Sequence, residues 1–187
     1  MCRPPVERDG DSLDDIEIIA MATALVFGGY ETTANLISNG MLALLEHPEQ
    51  RALLAEDYSR APAAIEEMLR FDTPPQAISR TAAKDFIWHG KSIARGDLVL
   101  GCLGAANRDT AVFRDPDTFD IRREPNPHIA FGLGAHFCPG AQLSRLEGRA
   151  AIPALLQRFP GLQLAGAPTR RRTFVLRGLE HLPVRLR

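Results

Sequence analysis

Apolar residues occupy every helical face between Ile16 and about Glu46: Ile16, Ile18, Ile19, Met21, Leu25, Val26, Phe27, Leu36, Ile37, Met41, Leu42, Leu44 and Leu45. A surface helix shows a stripe on one face only, so this pattern predicts a long helix buried all round. Ser12, followed by Asp14 and Asp15, marks its start, with acids where the helix dipole favours them. Gly28, Gly29, Thr32 and Thr33 break the apolar run in its middle, residues that weaken or bend a helix and open a groove along it. Residues 1–12 read as a loop.

Shorter periods follow. Glu49 to Asp57 predicts a short helix, and Pro62 suits the first position of another that runs to about Phe71, where Thr73-Pro74-Pro75 stops it. Between Ile78 and Leu103, β-type runs punctuated by His89-Gly90 and Arg95-Gly96-Asp97 predict a small antiparallel sheet. From Asn107 to Ala135 the chain is rich in Pro, Gly, Asp and Asn and has no period, which predicts a long irregular connection of the kind that carries function. A helix from about Ala141 to Phe159, interrupted at Pro153, and short strands between Leu162 and Arg187 complete the chain. The class is mainly α with small antiparallel β-sheets (α+β), without internal repeats.

Composition narrows the function. The 187 residues, 45% hydrophobic, suffice for one domain over residues 1–187 with its own core. A formal net charge of −1 creates no field toward nucleic acid or an anionic membrane. Three cysteines, Cys2, Cys102 and Cys138, form no CxxC pair and leave an odd thiol, which argues against a disulfide framework and for a reducing, cytoplasmic setting. The N-terminus lacks the apolar core of a secretion signal, and the longest uncharged apolar run, Ile18 to Tyr30, falls short of the ~18 to 20 residues of a membrane span.

The chemistry concentrates in Phe131-Gly-Leu-Gly-Ala-His-Phe-Cys138-Pro-Gly. Gly132, Gly134 and Gly140 let the backbone approach a flat bulky object while one soft ligand projects from the loop. A helix opening just after Cys138 aims its free amides and positive dipole end at the sulfur, which favours a thiolate; Pro139 has no N–H, so the donors come from Gly140 onward. The alternative for any single cysteine is an inert buried thiol, and Cys2 and Cys102 keep that reading. His136 with Cys138 could also begin a zinc site, but no second pair lies at zinc spacing. Glu67 and Arg70, one turn apart, are by themselves a surface contact. Gly28-Gly29-Tyr30-Glu31-Thr32-Thr33 places an ionisable residue and hydroxyls inside an apolar helix, which marks either a kink satisfied by backbone bonds or a bulge where a hydroxyl holds a water or donates to a ligand.

Taken together these segments resemble the cytochrome P450 family of haem-thiolate monooxygenases. Its FGxGxHxCxG signature is matched at every defined position, its A/G-G-x-E/D-T-T helix motif is similar to residues 28–33, its ExxR motif corresponds to Glu67-Met-Leu-Arg70, and its loop pattern to Phe119-Asp-Ile-Arg-Arg123. The resemblance implies the cytochrome P450 fold, C-terminal portion only, from about residue 10 to 187, with the N-terminal half absent. It implies haem b as cofactor, Cys138 as axial ligand of the iron, Phe131 packed beside the sulfur, and Gly132, Gly134 and Gly140 shaping the loop. His136 and Arg80 would bind the haem propionates. Thr32 would donate toward dioxygen and Glu31 would relay protons, while Glu67, Arg70 and Arg123 would form a buried network that positions the loop. Residues Ala77, Ile78 and 173–176, with Ala24, Leu25 and Gly28, resemble substrate-lining segments.

The function so implied is a monooxygenase that inserts one atom of dioxygen into a small apolar organic substrate, with electrons from NAD(P)H through ferredoxin or flavodoxin. Arg145 and Arg149 are candidates for docking that acidic carrier, and Arg170-Arg171-Arg172 reads as a solvated turn. Two other readings stay open: a non-catalytic remnant that binds haem weakly or not at all, and a peroxide-using haem enzyme, which the intact Glu31-Thr32 pair argues against. No nucleic acid or membrane partner is expected.

Overall fold

The computed structural model describes residues 12–186. The expectations for the first eleven residues, including the inert reading of Cys2, lie outside the described residues. Helix α1 spans Asp15–Glu46. Its cap is Asp14, not Ser12: the Asp14 carboxylate accepts from the Glu17 amide at 2.8 Å and Glu17 accepts from the Asp14 amide at 2.9 Å. That reciprocal box needs an acid three residues beyond the cap that is long enough to reach back, and Glu17 supplies it.

Helix α1 is not buried all round. Its second half is mostly buried, from Thr33 to Leu44 apart from the exposed Ala34 and the half-buried Ile37 and Ser38, whereas Ile16, Ile19, Leu25, Val26, Phe27 and Tyr30 are each at least 60% exposed. Walls exist only for the second half. There α1 packs against α3 (Ala61–Phe71) and α5 (Ala141–Arg158), with α2 (Pro48–Glu56) alongside. Leu36, Leu44, Leu54, Ile65, Met68, Ile152 and Leu156 form the centre of this core, joined by Phe119 and Ile121 from the irregular connection.

Pro62 takes the second helical position of α3, where no intrahelical bond is lost. Pro153 does not interrupt α5, which runs unbroken through it. A proline inside a helix costs about 3 kcal/mol, and burial of Ile152 and Leu156 on either side offsets that locally.

The strands form four two-stranded antiparallel sheets. Instead of one sheet between Ile78 and Leu103 there are two. Strand β1 (Ile78–Thr81) pairs with β4 (Leu98–Gly101), placing Arg80 opposite Val99. The hairpin β2 (Phe86–Trp88) and β3 (Lys91–Ile93) is inserted between them; His89 and Gly90 both have positive φ, the turn geometry a two-residue hairpin prefers. A short α4 (Leu103–Ala106) follows. Near the C-terminus β5 (Gln163–Leu164) pairs with β8 (Val184–Arg185), and β6 (Thr169–Arg170) with β7 (Leu179–His181).

The connection from Asn107 to Leu133 contains no helix or strand, as its composition predicts. It is nonetheless tied down: the Gln50 side chain accepts from the Ile121 amide, and the Asn107 side chain from the Ile129 amide. No described helix is long and apolar enough to cross a membrane.

Candidate functional site

Helix α3 carries two adjacent carboxylates that serve opposite neighbours. Glu67 is fully buried, as is Arg70, whose Nε and Nη2 bind the two Glu67 oxygens at 2.7 and 2.8 Å. Arg123 reaches the same carboxylate at 3.2 Å with its side chain 11% exposed. The remaining capacity is used by the irregular connection: Arg70 donates to the carbonyls of Asn107, Pro116 and Thr118, and Arg123 to those of Arg114, Asp115 and Thr118. The Asp120 amide and the Asn126 side chain donate to Glu67. Charges removed from water are tolerable only with this density of partners, and what the arrangement fixes is the path of the loop.

Beyond that network the chain enters the sulfur loop. Gly132 and Gly134 have φ of +71° and +73°, a left-handed region that side chains resist. The Cys138 amide donates to the Phe131 carbonyl at 3.0 Å and the Phe137 amide to Gly134, closing a one-turn 3₁₀ segment, Gly134–His136, between them. Helix α5 then begins with Gly140 as its cap and no side chain on its first amides. The half-buried, free Cys138 thiol therefore sits at a helix N-terminus that no side chain caps, where the Ala141 amide bonds the Cys138 carbonyl at 3.3 Å.

Leu133, His136 and Phe137 of the same loop are exposed, and so is Arg80 on β1. Among the described residues no cluster of three or more His, Cys, Asp or Glu could hold a bare metal ion. A single thiol, an apolar rim and two exposed basic side chains instead fit a metal that brings its own planar ligand with carboxylate arms, as haem does.

The acid–alcohol pair lies on α1, where exposed surface gives way to core. Thr33 Oγ1 is 3.4 Å from Ser144 in the first turn of α5, so this stretch of α1 stands against the helix that follows Cys138. The helix does not bulge here: α1 is continuous, and the Thr32 hydroxyl spends its proton on the Gly28 carbonyl. Its lone pairs remain free to accept in this arrangement. Glu31 is bound by Arg171 at 2.8 Å.

The arginine cluster near the C-terminus is thus not a solvated turn. Arg170 binds Asp72 at 2.7 Å and Asn39, and Arg171 binds Glu31. A cavity of about 300 Å³ is lined by these two arginines with Gln76, Cys102, Thr173 and Phe174. Cys102 is exposed there, not an inert buried thiol. The bridge between Pro75 and Leu176 sets the two expected substrate-lining segments side by side. On α1 the concave surface, about 520 Å³, is formed by Ala22, Thr23, Val26, Phe27, Tyr30 and Glu31, not by Ala24, Leu25 and Gly28.

The sequence reading missed Glu66, His128 and the real position of Arg145. Arg145 binds both Glu66 oxygens, at 2.8 and 2.9 Å, its side chain is only 18% exposed, and it is not free to dock a carrier. Arg149, 3.9 Å from Glu66, is 40% exposed. His128 Nε2 lies 2.9 Å from Glu66. Burial opposes the Glu66 charge, but the hydrogen bonds from His128 and Arg145 outweigh it and hold the carboxyl down to about 2. The one available signal was Glu66 standing immediately before Glu67, so that a helix must turn them to different faces.

The family model for cytochrome P450 matches residues 3–162. The chain is 47% identical over 178 residues to the biotin biosynthesis cytochrome P450 of Bacillus subtilis (strain 168), covering 95% of this chain and 45% of that relative. It is 48% identical over 182 residues to a vitamin D(3) 25-hydroxylase of Pseudonocardia autotrophica, again 95% of this chain and 45% of the relative. Among solved structures, P450BioI in complex with acyl carrier protein ligated to hexadec-9Z-enoic acid superposes with a TM-score of 0.92 at 46% identity, over 96% of this chain and 47% of that one. CYP109E1 from Bacillus megaterium with testosterone also gives 0.92, at 36% identity, over 96% and 51%. The chain spans about half the length of the relatives it matches. From the sulfur loop, the buried carboxylate–guanidinium network and these likenesses, the chain belongs to the cytochrome P450 family.

Proposed function

We propose that this chain forms the haem-thiolate part of a cytoplasmic monooxygenase that oxidises a small apolar organic substrate. The observation that carries the reading is the free Cys138 thiol, held on a closed glycine loop at the start of α5, which no side chain caps. When bound, haem b supplies an iron that activates dioxygen with electrons from NAD(P)H, delivered by ferredoxin or flavodoxin.

The chain's own residues would do the rest. Cys138 would supply the sulfur that holds the iron, with Gly132, Gly134 and Gly140 allowing close approach and Phe131 packing beside it. His136 and Arg80, exposed and basic, would pair with the propionates in charge-assisted bonds. Thr32 would hold a proton-bearing water or ligand by accepting its hydrogen bond, since its own proton is given to Gly28. Glu31 would pass protons inward once released from Arg171. Glu67, Arg70 and Arg123 would keep the sulfur loop in register. Arg149 is the more exposed of the two arginines for an acidic electron carrier.

The test is the carbon monoxide difference spectrum of the reduced, haem-loaded chain. A thiolate-type Soret shift supports the proposal, and its persistence in Cys138→Ser would overturn it. A second reading, a haem-binding remnant without turnover, is favoured by the exposed apolar first half of α1. Oxygen consumption with substrate and a ferredoxin system separates the two, because a remnant shows the spectrum and no uptake.

A further inference from the structure

Helix α5 and helix α3 are joined beside the sulfur loop by a second polar cluster that the family motifs do not mention. Its centre is Glu66. Arg145 donates to both carboxylate oxygens through Nε and Nη2, and His128 approaches Oε2 through Nε2. The Nδ1 of His128 accepts from the Ala130 amide at 3.2 Å, which puts the proton of the neutral ring on Nε2, where it donates to Glu66. The His128 side chain is 4% exposed. With three bonds on two oxygens, Glu66 fixes the plane of the Arg145 guanidinium.

That plane has a purpose. The guanidinium carbon of Arg145 lies 4.6 Å from the centroid of the Phe131 ring, in a cation–π arrangement. His128 and Phe137 flank the same ring, each with centroids 6.3 Å away. Phe131 in turn holds the sulfur: its carbonyl accepts the Cys138 amide. One chain of contacts therefore runs from the Glu66 carboxylate through Arg145 to the Phe131 ring, and by the Phe131 backbone to Cys138. It also carries charge, because Arg145 is a cation in the second turn of the helix that opens at the sulfur. Its guanidinium is stabilised in the charged form by the hydrogen bonds to Glu66, against burial.

We propose that Arg145, clamped by Glu66 and His128, is a positioning residue for Phe131 and the Cys138 loop, and that its charge draws electron density from the sulfur and so raises the reduction potential of the bound haem. The potential part of this proposal rests on the haem-thiolate reading above; the positioning part concerns the chain with or without haem.

Two measurements on the 187-residue chain test it. In the haem-free chain, amide hydrogen exchange at Cys138 and Gly132 should speed up at least tenfold in Arg145→Gln relative to wild type. Arg158→Gln, which removes the same charge thirteen residues along α5, roughly 20 Å away at 1.5 Å per residue, should leave both amides unchanged. Equal exchange in Arg145→Gln and wild type would overturn the positioning role.

In the haem-loaded chain, Arg145→Gln should shift the haem potential to more negative values at equal haem content. Arg145→Lys, which keeps the charge but cannot grip both Glu66 oxygens, should recover most of the potential and little of the exchange protection. An unshifted potential in Arg145→Gln would overturn the electronic role. Should Arg145→Gln fail to fold, Glu66→Gln reads the same clamp with the cation retained: exchange at Cys138 rises if the clamp positions the loop and stays at the wild-type rate if it does not. A wild-type chain that takes up no haem would defeat the haem-thiolate reading alone, since the exchange comparison still decides the positioning role.

Discussion

Arg171 and Glu31 face each other at 2.8 Å although 140 residues separate them in sequence. The contact joins the acid of α1 to the C-terminal segment, across the edge of the cavity that Gln76 and Phe174 line. Both partners are partly exposed, 49% for Arg171 and 29% for Glu31. Solvent screening limits such a pair to about 0–1 kcal/mol. Arg171→Gln should therefore lower the unfolding free energy by less than about 1 kcal/mol, read from urea melts. A loss several times larger would mean that Arg171 supports the fold and is not simply a latch on Glu31.

Glu67 and Arg70 behave differently because neither touches water. Glu67→Ala or Arg70→Ala strands the opposite charge in the core, at a cost of about 3–5 kcal/mol, and frees the loop from 116 to 126 that they anchor. The expected outcome is loss of haem retention together with a lower urea midpoint. Full haem content in either variant would refute the role.

Acid stability reports on Glu66. Its carboxyl is held from an ordinary 4.5 down to about 2, with His128, Arg145 and, at 3.9 Å, Arg149 facing it. A depressed carboxylate contributes stability that is complete above the unfolded value and disappears as pH falls through the folded one. Wild type should lose stability between about pH 4.5 and 2, and Glu66→Gln should flatten that part of the curve. Parallel curves for the two proteins would show that Glu66 gains nothing from its partners.

The bare face of α1 predicts self-association. Leu25 and Phe27 are 62% and 60% exposed, with Val26 and Tyr30 exposed beside them, and contiguous exposed apolar side chains mark association surfaces. The 187-residue chain should associate with rising concentration in sedimentation, and the double substitution Leu25→Glu with Phe27→Glu should suppress this without lowering its thermal midpoint. A wild-type chain that stays monomeric at high concentration would contradict the expectation.

What was legible in the sequence divides along a physical line. Helices α2, α3 and α5 are bounded by prolines and glycines whose backbone constraints act locally, so their positions are set within a few residues. The sulfur loop is equally local: Gly132, Gly134 and the helix after Cys138 are adjacent in sequence. The burial of α1 was not local. Its apolar residues are the same in both halves, and only the presence of α3 and α5 beside the second half distinguishes them.

The partners of Glu66 were hidden for the same reason. His128 lies 62 residues away and Arg145 lies 79 away, on elements whose meeting no period announces. Pro153 disfavours a helix by a local rule, and the packing of Ile152 and Leu156, which lies outside that rule, carries α5 through it.

Gly148 makes the contact between α3 and α5 a mechanical one. A methyl group there would stand 3.0 Å from the tip of Ile65, a side chain with no exposed surface and no room to turn aside. Even that smallest enlargement requires a few tenths of an ångström of give between Ile65 and α5, one turn from Arg145 and its grip on Glu66. Alanine at position 148 should thus disturb the sulfur loop from ten residues' remove, by altering the spacing of two helices and none of the groups that touch the thiol.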